Sequence, residues 1–304
     1  MHDLIIIGGG PAACSAAVYA ARKLLKTVLI TETFGGQSVD STDIQNWIGT
    51  PHIAGLDLAK TLEAHVREYA KDIVDIVTGE WVTKLEKKDG GFIVATKNGK
   101  TFEAKTVLIA SGGTRRKLEA IGADQFEHKG LTYCASCDGP LFSDQDVAVI
   151  GGGNAGFETA AQLLAYAKSV TLFSRSDFRA DPVTVKAVSA HPNFKGIQNA
   201  TILEVKGDKF VSGLRYQDAS GEHDLPVGGI FVEIGLLPST DYAKGLVELD
   251  SVGRVVVNAK SQRTTVDGVW AAGDCTDELY HQNNIAAGDG VKALEDIYMF
   301  LKAH

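Results

Sequence analysis

The chain repeats itself. Residues 4–31 read LIIIGGGPAACSAAVYAARKLLKTVLIT, and 143 positions further on residues 147–174 read VAVIGGGNAGFETAAQLLAYAKSVTLFS, with no gap needed to align them. Each copy is a short apolar run, a glycine turn, an alanine-rich stretch and a second apolar run. That order predicts strand, turn, helix and strand, twice over.

Each copy opens on G-x-G-x-x-G/A: Gly8, Gly10 and Ala13, then Gly151, Gly153 and Gly156. The first glycine allows a tight turn out of the strand. The second lets a pyrophosphate reach the backbone, and the third small residue lets helix and strand pack closely. The phosphates then sit on free N–H groups at the helix N-terminus. One such motif is weak; two in a strand–turn–helix–strand context are strong, although either copy can instead be a packing relic without a ligand. The second strand of the first copy runs into Glu32, and the matching position in the second copy is Arg175. A carboxylate there suits free ribose hydroxyls, as in FAD or NAD. An arginine suits a 2′-phosphate, as in NADPH. For both residues a solvated turn charge is the competing reading.

Three more apolar runs end in small residues: TVLIASGG (106–113), GIFVEIGLLP (229–238) and GVWAAGDCTD (268–277). Residues 75–105 alternate apolar and polar with turns at Asp89-Gly90-Gly91 and Asn98-Gly99, which predicts an antiparallel meander; residues 201–224 repeat that pattern. A last helix is expected over 282–302, with Ile285, Val291, Leu294, Ile297, Tyr298 and Leu301 on one apolar face. The expected fold is α/β: two Rossmann-like, three-layer dinucleotide-binding domains, each with a β meander.

The net charge of −8 argues against nucleic acid or an anionic membrane as a partner. No secretory signal or membrane-length apolar stretch is read, so a cytoplasmic location is expected. Among 304 residues there are four cysteines, Cys14, Cys134, Cys137 and Cys275. The pair Cys134-Ala-Ser-Cys137 can be half of a zinc site, a structural bridge or a redox pair. Zinc needs four ligands and only one CxxC exists; a structural bridge is disfavoured in a long, cysteine-poor chain. A redox pair is the preferred reading, with Asp138 beside it as a proton donor and acceptor or, alternatively, as a helix N-cap. Cys14 and Cys275 read as buried small hydrophobes.

With GGGPAA, GGQ, CASCDG, GGGNAG and AAGD in this order, the chain resembles low-molecular-weight thioredoxin reductases from about residue 3 to 302. Larger disulfide reductases carry the cysteine pair in the first helix, where this chain has only Cys14. The resemblance implies a homodimer and a discontinuous FAD domain, 1–115 with 245–304. It implies an inserted NAD(P)-type domain, 116–244, carrying the redox pair. Gly8, Gly10, Pro11, Ala12 and Ala13 would surround the FAD pyrophosphate, with Glu32 at the ribose. Gly35, Gly36 and Gln37 match the GGQ turn, Asn46 an asparagine near the flavin, and Gly112 ends the ASG that stands where the family has ATG. Gly273 and Asp274 match the GD of the ribityl and phosphate contact, followed by Gln282 and Asn283. In the inserted domain Gly151, Gly153, Asn154, Ala155 and Gly156 would hold NADPH. Cys137 would take electrons from the flavin, Cys134 would attack thioredoxin or a thioredoxin-like protein, and Asp138 would move the proton. A rotation of the inserted domain, on connections near Gly112–Lys117 and Tyr242–Gly245, would expose the dithiol.

The chain departs from the pattern where the family has HRRxxxR. It reads FSRSDFRADP, which keeps Arg175 and Arg179 but has Ser174 and Ser176, with no acid at 174–176. His281 stands where the family has an arginine before the glutamine. NADPH is the preferred donor; ferredoxin, another protein or flavin donor, and NADH remain open. Running the same parts in reverse would make a dithiol oxidase, against which CASCDG argues. A flavoprotein that senses redox state without turnover is the third possibility.

Overall fold

The structure, a computed structural model, describes residues 1–41 and 43–303. The chain divides into two compact units: Met1–Thr114 with Leu237–His304, and Arg115–Leu236.

In the first unit five parallel strands run in the order Val74–Val77, Thr27–Ile30, His2–Ile7, Thr101–Ile109, Val269–Ala271. Their registers align Leu4 with Thr27 and Thr106, and Ile7 with Ile30 and Ile109. The strand Thr101–Ile109 does double duty. Its first half pairs antiparallel with Gly91–Thr96, which pairs with Val82–Lys88; its second half carries the parallel sheet. Val74–Val77 was expected as the first strand of the meander, and here the sequence expectation is corrected. It pairs parallel with Thr27–Ile30, so the meander begins at Val82. Alternation in VDIV suits either place, and only its partner decides.

Period-two alternation divides the sheet's side chains between two cores. Leu4 and Ile6 face a helical layer of α1 (Pro11–Arg22), α2 (Gly55–Ala70) and the last helix. Ile5 and Ile7 face the meander and the segment around Ala243, Val247 and Val255. Alanine dominates α1, which suits both helix propensity and close packing. The helix stops at Leu24, whose φ of 59° is the left-handed conformation a helix end adopts.

The second unit repeats the plan. Its parallel strands run Phe194–Ile197, Ser169–Phe173, Asp146–Ile150, Gly229–Val232, Leu131–Thr132. Val147 and Val149 face a layer containing Phe157, Ala160 and Leu163, while Ala148 and Ile150 face an antiparallel meander, Thr201–Gly207, Val211–Asp218 and Gly221–Leu225. This unit's helices are α3 (Ala135–Asp138), α4 (Asn154–Leu163) and α5 (Pro182–Ser189). The run 229–238 breaks in two: Leu236–Pro238 leaves the sheet and pairs with Gly113–Arg115. Two Rossmann-type, three-layer units result, as the echo requires.

The last helix, α6, spans Asn283–Ala303; of its expected apolar face Leu294 and Ile297 are buried and Tyr298 and Leu301 pack on the same core, but small residues join them. Ala286, Asp289, Gly290, Ala293, Leu294 and Ile297 are buried, while Ile285 is exposed. The reason is close contact with α1: a Cβ on Gly290 would lie 2.1 Å from the Ala12 carbonyl oxygen. Gly290 sits at the closest approach to α1, with Leu294 and Ile297 in the same core. Gly290→Ala is therefore expected to destabilise the protein by about 1–3 kcal/mol through overpacking, despite alanine's better helix propensity. Denaturant unfolding of the variant checks this.

Candidate active site

In both units the sheet order reverses beside the first strand of the echo. Open α/β sheets bind ligands in the crevice at the carboxyl ends of the strands on either side of such a point. In the first unit that crevice is a cleft lined by Gly8–Ala12, Thr31–Thr33, Gly36–Ser38, Glu80–Val82, Ala110–Gly113, Tyr242, Ala272–Asp274, Asn283 and Ala286, with Ile7 and Ile30 at its base.

The glycines of the turn have separate tasks. Gly8 has φ 125°, and a Cβ there would lie 2.1 Å from the Ala110 carbonyl oxygen. A Cβ on Gly10 would meet nothing within 4 Å, so the space beside it is open. Gly10 caps α1 with no side-chain hydrogen bond, Pro11 occupies the first turn, and that turn holds no acid. The first N–H groups of the helix therefore face open space with no acid in their own turn, the arrangement that holds a phosphate. Glu32, exposed, closes the cleft at the end of its strand. The residues present fit FAD: a phosphate cradle, a ribose-side carboxylate and a long cleft between.

Three distant segments meet at the other end. The Gln37 side-chain amide donates to Asp274 Oδ2 (3.2 Å), and Ser38 Oγ to Asn283 Oδ1 (2.8 Å). Asn46 Nδ2 donates to Gln282 Oε1 at 3.1 Å, and Asn284 returns a bond to the Asn46 carbonyl at 2.7 Å. The structure places Gly8, Gly10, Pro11, Ala12, Glu32, Gly36, Gln37, Gly112, Gly273, Asp274 and Asn283 on the cleft wall. Ala13, Gly35, Asn46 and Gln282 are not on it: Ala13 is buried in α1 packing, and a Cβ on Gly35 would lie 2.5 Å from Ala59. Sequence reasoning did not single out Trp81, half exposed on the cleft wall with Glu32, or Tyr242, partly buried and donating to Ser111 Oγ at 3.0 Å. Trp81 sits in the segment read as meander, where an aromatic is unremarkable.

The glycine turn of the second unit is built alike. Gly151 (φ 143°) would place a Cβ 2.2 Å from the Glu233 carbonyl oxygen, Gly156 one 1.9 Å from the Gly151 oxygen, and Gly153 is open. Asn154 Oδ1 accepts the Asp181 N–H at 2.8 Å, and Arg179 N–H donates to the Gly152 carbonyl at 2.8 Å. Arg175 and Arg179 are exposed beside this turn, as is Ala155.

Cys134 and Cys137 are joined by a disulfide with Cα atoms 5.3 Å apart. Both are partly exposed. Cys134 is the N-cap of α3, and its sulfur accepts the Cys137 N–H at 3.1 Å. Gly139 is required next, because a Cβ there would lie 2.0 Å from the Tyr166 hydroxyl. Asp138 makes no side-chain capping bond, so the N-cap reading fails. Its carboxylate instead takes a hydrogen bond from the Thr132 hydroxyl. Burial pushes the Asp138 pKa up, opposed by that bond and by the charge of His128. Thr132 was not legible as a site residue, since its partner is set by the turn of the chain. Cys14 and Cys275 are buried, and burial pushes both thiols up to about 12, which makes them inert at neutral pH. Among the described residues no group of three or more His, Cys, Asp or Glu is placed to hold a metal, and no helix is long and apolar enough to cross a membrane.

Two dinucleotide-type units, one carrying a Cys-x-x-Cys disulfide beside a partly buried acid, define a disulfide oxidoreductase architecture. The family profile described as "Pyridine nucleotide-disulphide oxidoreductase" matches residues 2–290, and the chain belongs to that family. It is similar over nearly all its length to solved thioredoxin reductases. That from Streptococcus pyogenes MGAS5005 is 33% identical with a TM-score of 0.92, covering 100% of this chain and 99% of that one. That from Giardia duodenalis is 32% identical with a TM-score of 0.93, covering 99% of each. Among curated proteins, an alkyl hydroperoxide reductase component of Escherichia coli K12 is 41% identical over 99% of this chain, which spans 58% of that protein's length. NADH dehydrogenase of Bacillus subtilis 168 is 40% identical over 98% of the chain and is likewise 58% covered.

Proposed function

We propose that the chain is an FAD-dependent protein-disulfide reductase. Electrons pass from a pyridine nucleotide, NADPH preferred, through FAD to the Cys134–Cys137 disulfide and on to thioredoxin or a thioredoxin-like protein. The observation that carries this reading is the Cys-x-x-Cys disulfide with a partly buried carboxyl beside it, in a unit that repeats the open glycine turn of the first. FAD, when bound, would accept a hydride and deliver two electrons to the disulfide.

The chain's own residues supply the rest. Gly8–Ala12 would hold phosphate, and Glu32 ribose. Gln37, Asp274 and Asn283 order the far end of the cleft through their mutual bonds. At the disulfide, opening by two electrons leaves two sulfurs and needs one proton if one stays a thiolate. Cys134 is the sulfur better placed to remain anionic, because the Cys137 N–H points at it. Asp138, its pKa raised by burial and its carboxyl oriented by Thr132, follows the pair in the chain and would give and recover that proton.

Arg175 and the absence of an acid at 174–176 support NADPH. The similarity to a protein named NADH dehydrogenase supports NADH as a second reading, and that to an alkyl hydroperoxide reductase component supports a different protein disulfide as acceptor. Steady-state reduction of a thioredoxin with each nucleotide tests the donor. A kcat/KM for NADPH at least about tenfold above that for NADH, lost in Arg175→Ala, is expected. Equal values in the wild type would reject the NADPH preference.

Asp138→Asn carries a second expectation, in two parts. Turnover should fall by roughly 10²-fold or more, as for removal of a general acid–base group. Stability should move the other way. The folded pKa of Asp138 is raised, so its ionisation penalises the fold above that pKa and not below the ordinary value of 3.8. The variant should therefore be the more stable protein at neutral pH. That advantage should vanish as acid protonates the wild-type residue. Unfolding of both proteins across pH measures it.

A further inference from the structure

The two glycine turns serve as internal controls for each other. The atom that a Cβ on Gly8 would strike is the Ala110 carbonyl oxygen, at 2.1 Å; the atom that a Cβ on Gly151 would strike is the Glu233 carbonyl oxygen, at 2.2 Å. Ala110 and Glu233 are thus structural equivalents, each one residue past the strand beside the turn. The first unit keeps a methyl there. The second has a carboxylate whose side chain is only 8% exposed.

That carboxylate has two polar protein neighbours, which hold its oxygens unequally. Glu233 Oε1 accepts a hydrogen bond from Thr159 Oγ1, on α4, at 2.9 Å. Oε2 has only Arg115 Nη1 at 3.7 Å, beyond hydrogen-bond length. Burial pushes the Glu233 pKa up, the charge of Glu158 adds to this, and Arg115 and Thr159 oppose it. One oxygen of this nearly buried carboxyl thus has no protein hydrogen-bond donor and is free to take one from a ligand.

Its place in the sheet says what that donor is. Arg175 follows Ser169–Phe173 on one side of the central strand Asp146–Ile150; Glu233 follows Gly229–Val232 on the other. The phosphate turn lies between them. A dinucleotide laid over that turn must put its two nucleosides on opposite sides. If Arg175 holds the adenosine 2′-phosphate, the other nucleoside falls at Glu233.

We propose that Glu233 recognises the nicotinamide half of a bound pyridine dinucleotide, accepting a hydrogen bond from its ribose hydroxyls or carboxamide N–H₂. This deepens the reading of a pyridine-nucleotide donor given above and rests on it. Glu233 takes hold of what NADH and NADPH share, and Arg175 of what distinguishes them. Glu233 is then a nucleotide-binding residue that sets affinity without setting the choice between the two.

Calorimetric titration of the FAD-loaded full chain with NADP⁺, NAD⁺ and 2′,5′-ADP tests this without turnover. Glu233→Ala should weaken NADP⁺ and NAD⁺ by the same factor, about tenfold or more, and leave 2′,5′-ADP, which lacks the nicotinamide half, within about twofold. Glu233→Gln keeps an oxygen for Thr159 but turns an N–H₂ toward the ligand's donor in place of Oε2, so it should recover little of the loss. Unchanged NADP⁺ affinity in Glu233→Ala overturns the proposal alone. So does an equal loss for 2′,5′-ADP, which would mark Glu233 as a structural prop of the turn. Failure of the wild type to bind either dinucleotide overturns the donor reading and the proposal together.

Discussion

Cys134→Ser and Cys137→Ser should each lower turnover with a protein disulfide by at least about 10³-fold while FAD stays bound and the fold stays intact. A serine oxygen cannot enter thiol–disulfide exchange, so each substitution removes a covalent step rather than an accessory interaction. The fold should tolerate it. The bridge closes a loop only three residues apart in sequence, and loop closure that short contributes about 2 kcal/mol. Both side chains are partly exposed, so no core is opened. The two variants should also differ. Cys134 carries the backbone N–H bond that stabilises a thiolate, so Cys137→Ser leaves the attacking sulfur in place and should trap the acceptor as a mixed disulfide. Cys134→Ser should trap none. Intact-mass spectrometry after mixing with oxidised thioredoxin reads the difference, and the reverse pattern would exchange the roles of the two sulfurs.

The second large effect is expected at Gly10. Substitution of Gly8 would damage the fold and the site together, because of its φ of 125° and the Ala110 oxygen 2.1 Å from a Cβ. Gly10 separates the two. Its φ of −79° and ψ of −177° suit any residue, and a Cβ would meet no protein atom within 4 Å. Gly10→Val should therefore fold with little loss, about 1 kcal/mol for a poorer N-cap, yet fill the space into which the phosphate must come. Purification without bound flavin, and FAD affinity lowered by at least about 10²-fold at near-normal thermal stability, are the expected results. Retention of FAD would place the phosphate elsewhere.

Much of this was legible in the chain before any coordinates. Gly8, Gly10, Gly151, Gly153 and Gly156 announced themselves because a tight turn, a close backbone approach or room for a phosphate selects glycine at each, and because the sequence presents the pattern twice. The strands at 4–7 and 147–150 were legible since sheets buried on both faces leave continuous apolar runs. What failed to show depends on partners remote in sequence. Val74–Val77 alternates as a meander strand would, and only its pairing with Thr27–Ile30 reveals it as part of the parallel sheet. The apolar side of α6 was read from its large residues, but its contact with α1 selects Ala286, Gly290 and Ala293, where backbones must approach. Glu233 reads as one charge in an apolar run; its isolation appears only beside Thr159 and Arg115. The hold of Thr132 on Asp138 likewise needs the turn between them to be folded.

The central claim is that FAD and the Cys134–Cys137 pair form one electron path ending on another protein. Anaerobic reductive titration followed by reoxidation tests it most directly. The FAD-loaded protein should take up about four electrons before its flavin is fully bleached, two for the flavin and two for the disulfide, and Cys134→Ser only about two. NADPH should then bleach the wild-type flavin, and oxidised thioredoxin should restore its visible absorbance. Uptake of two electrons by both proteins, or a flavin that NADPH reduces but thioredoxin leaves reduced, would contradict that path.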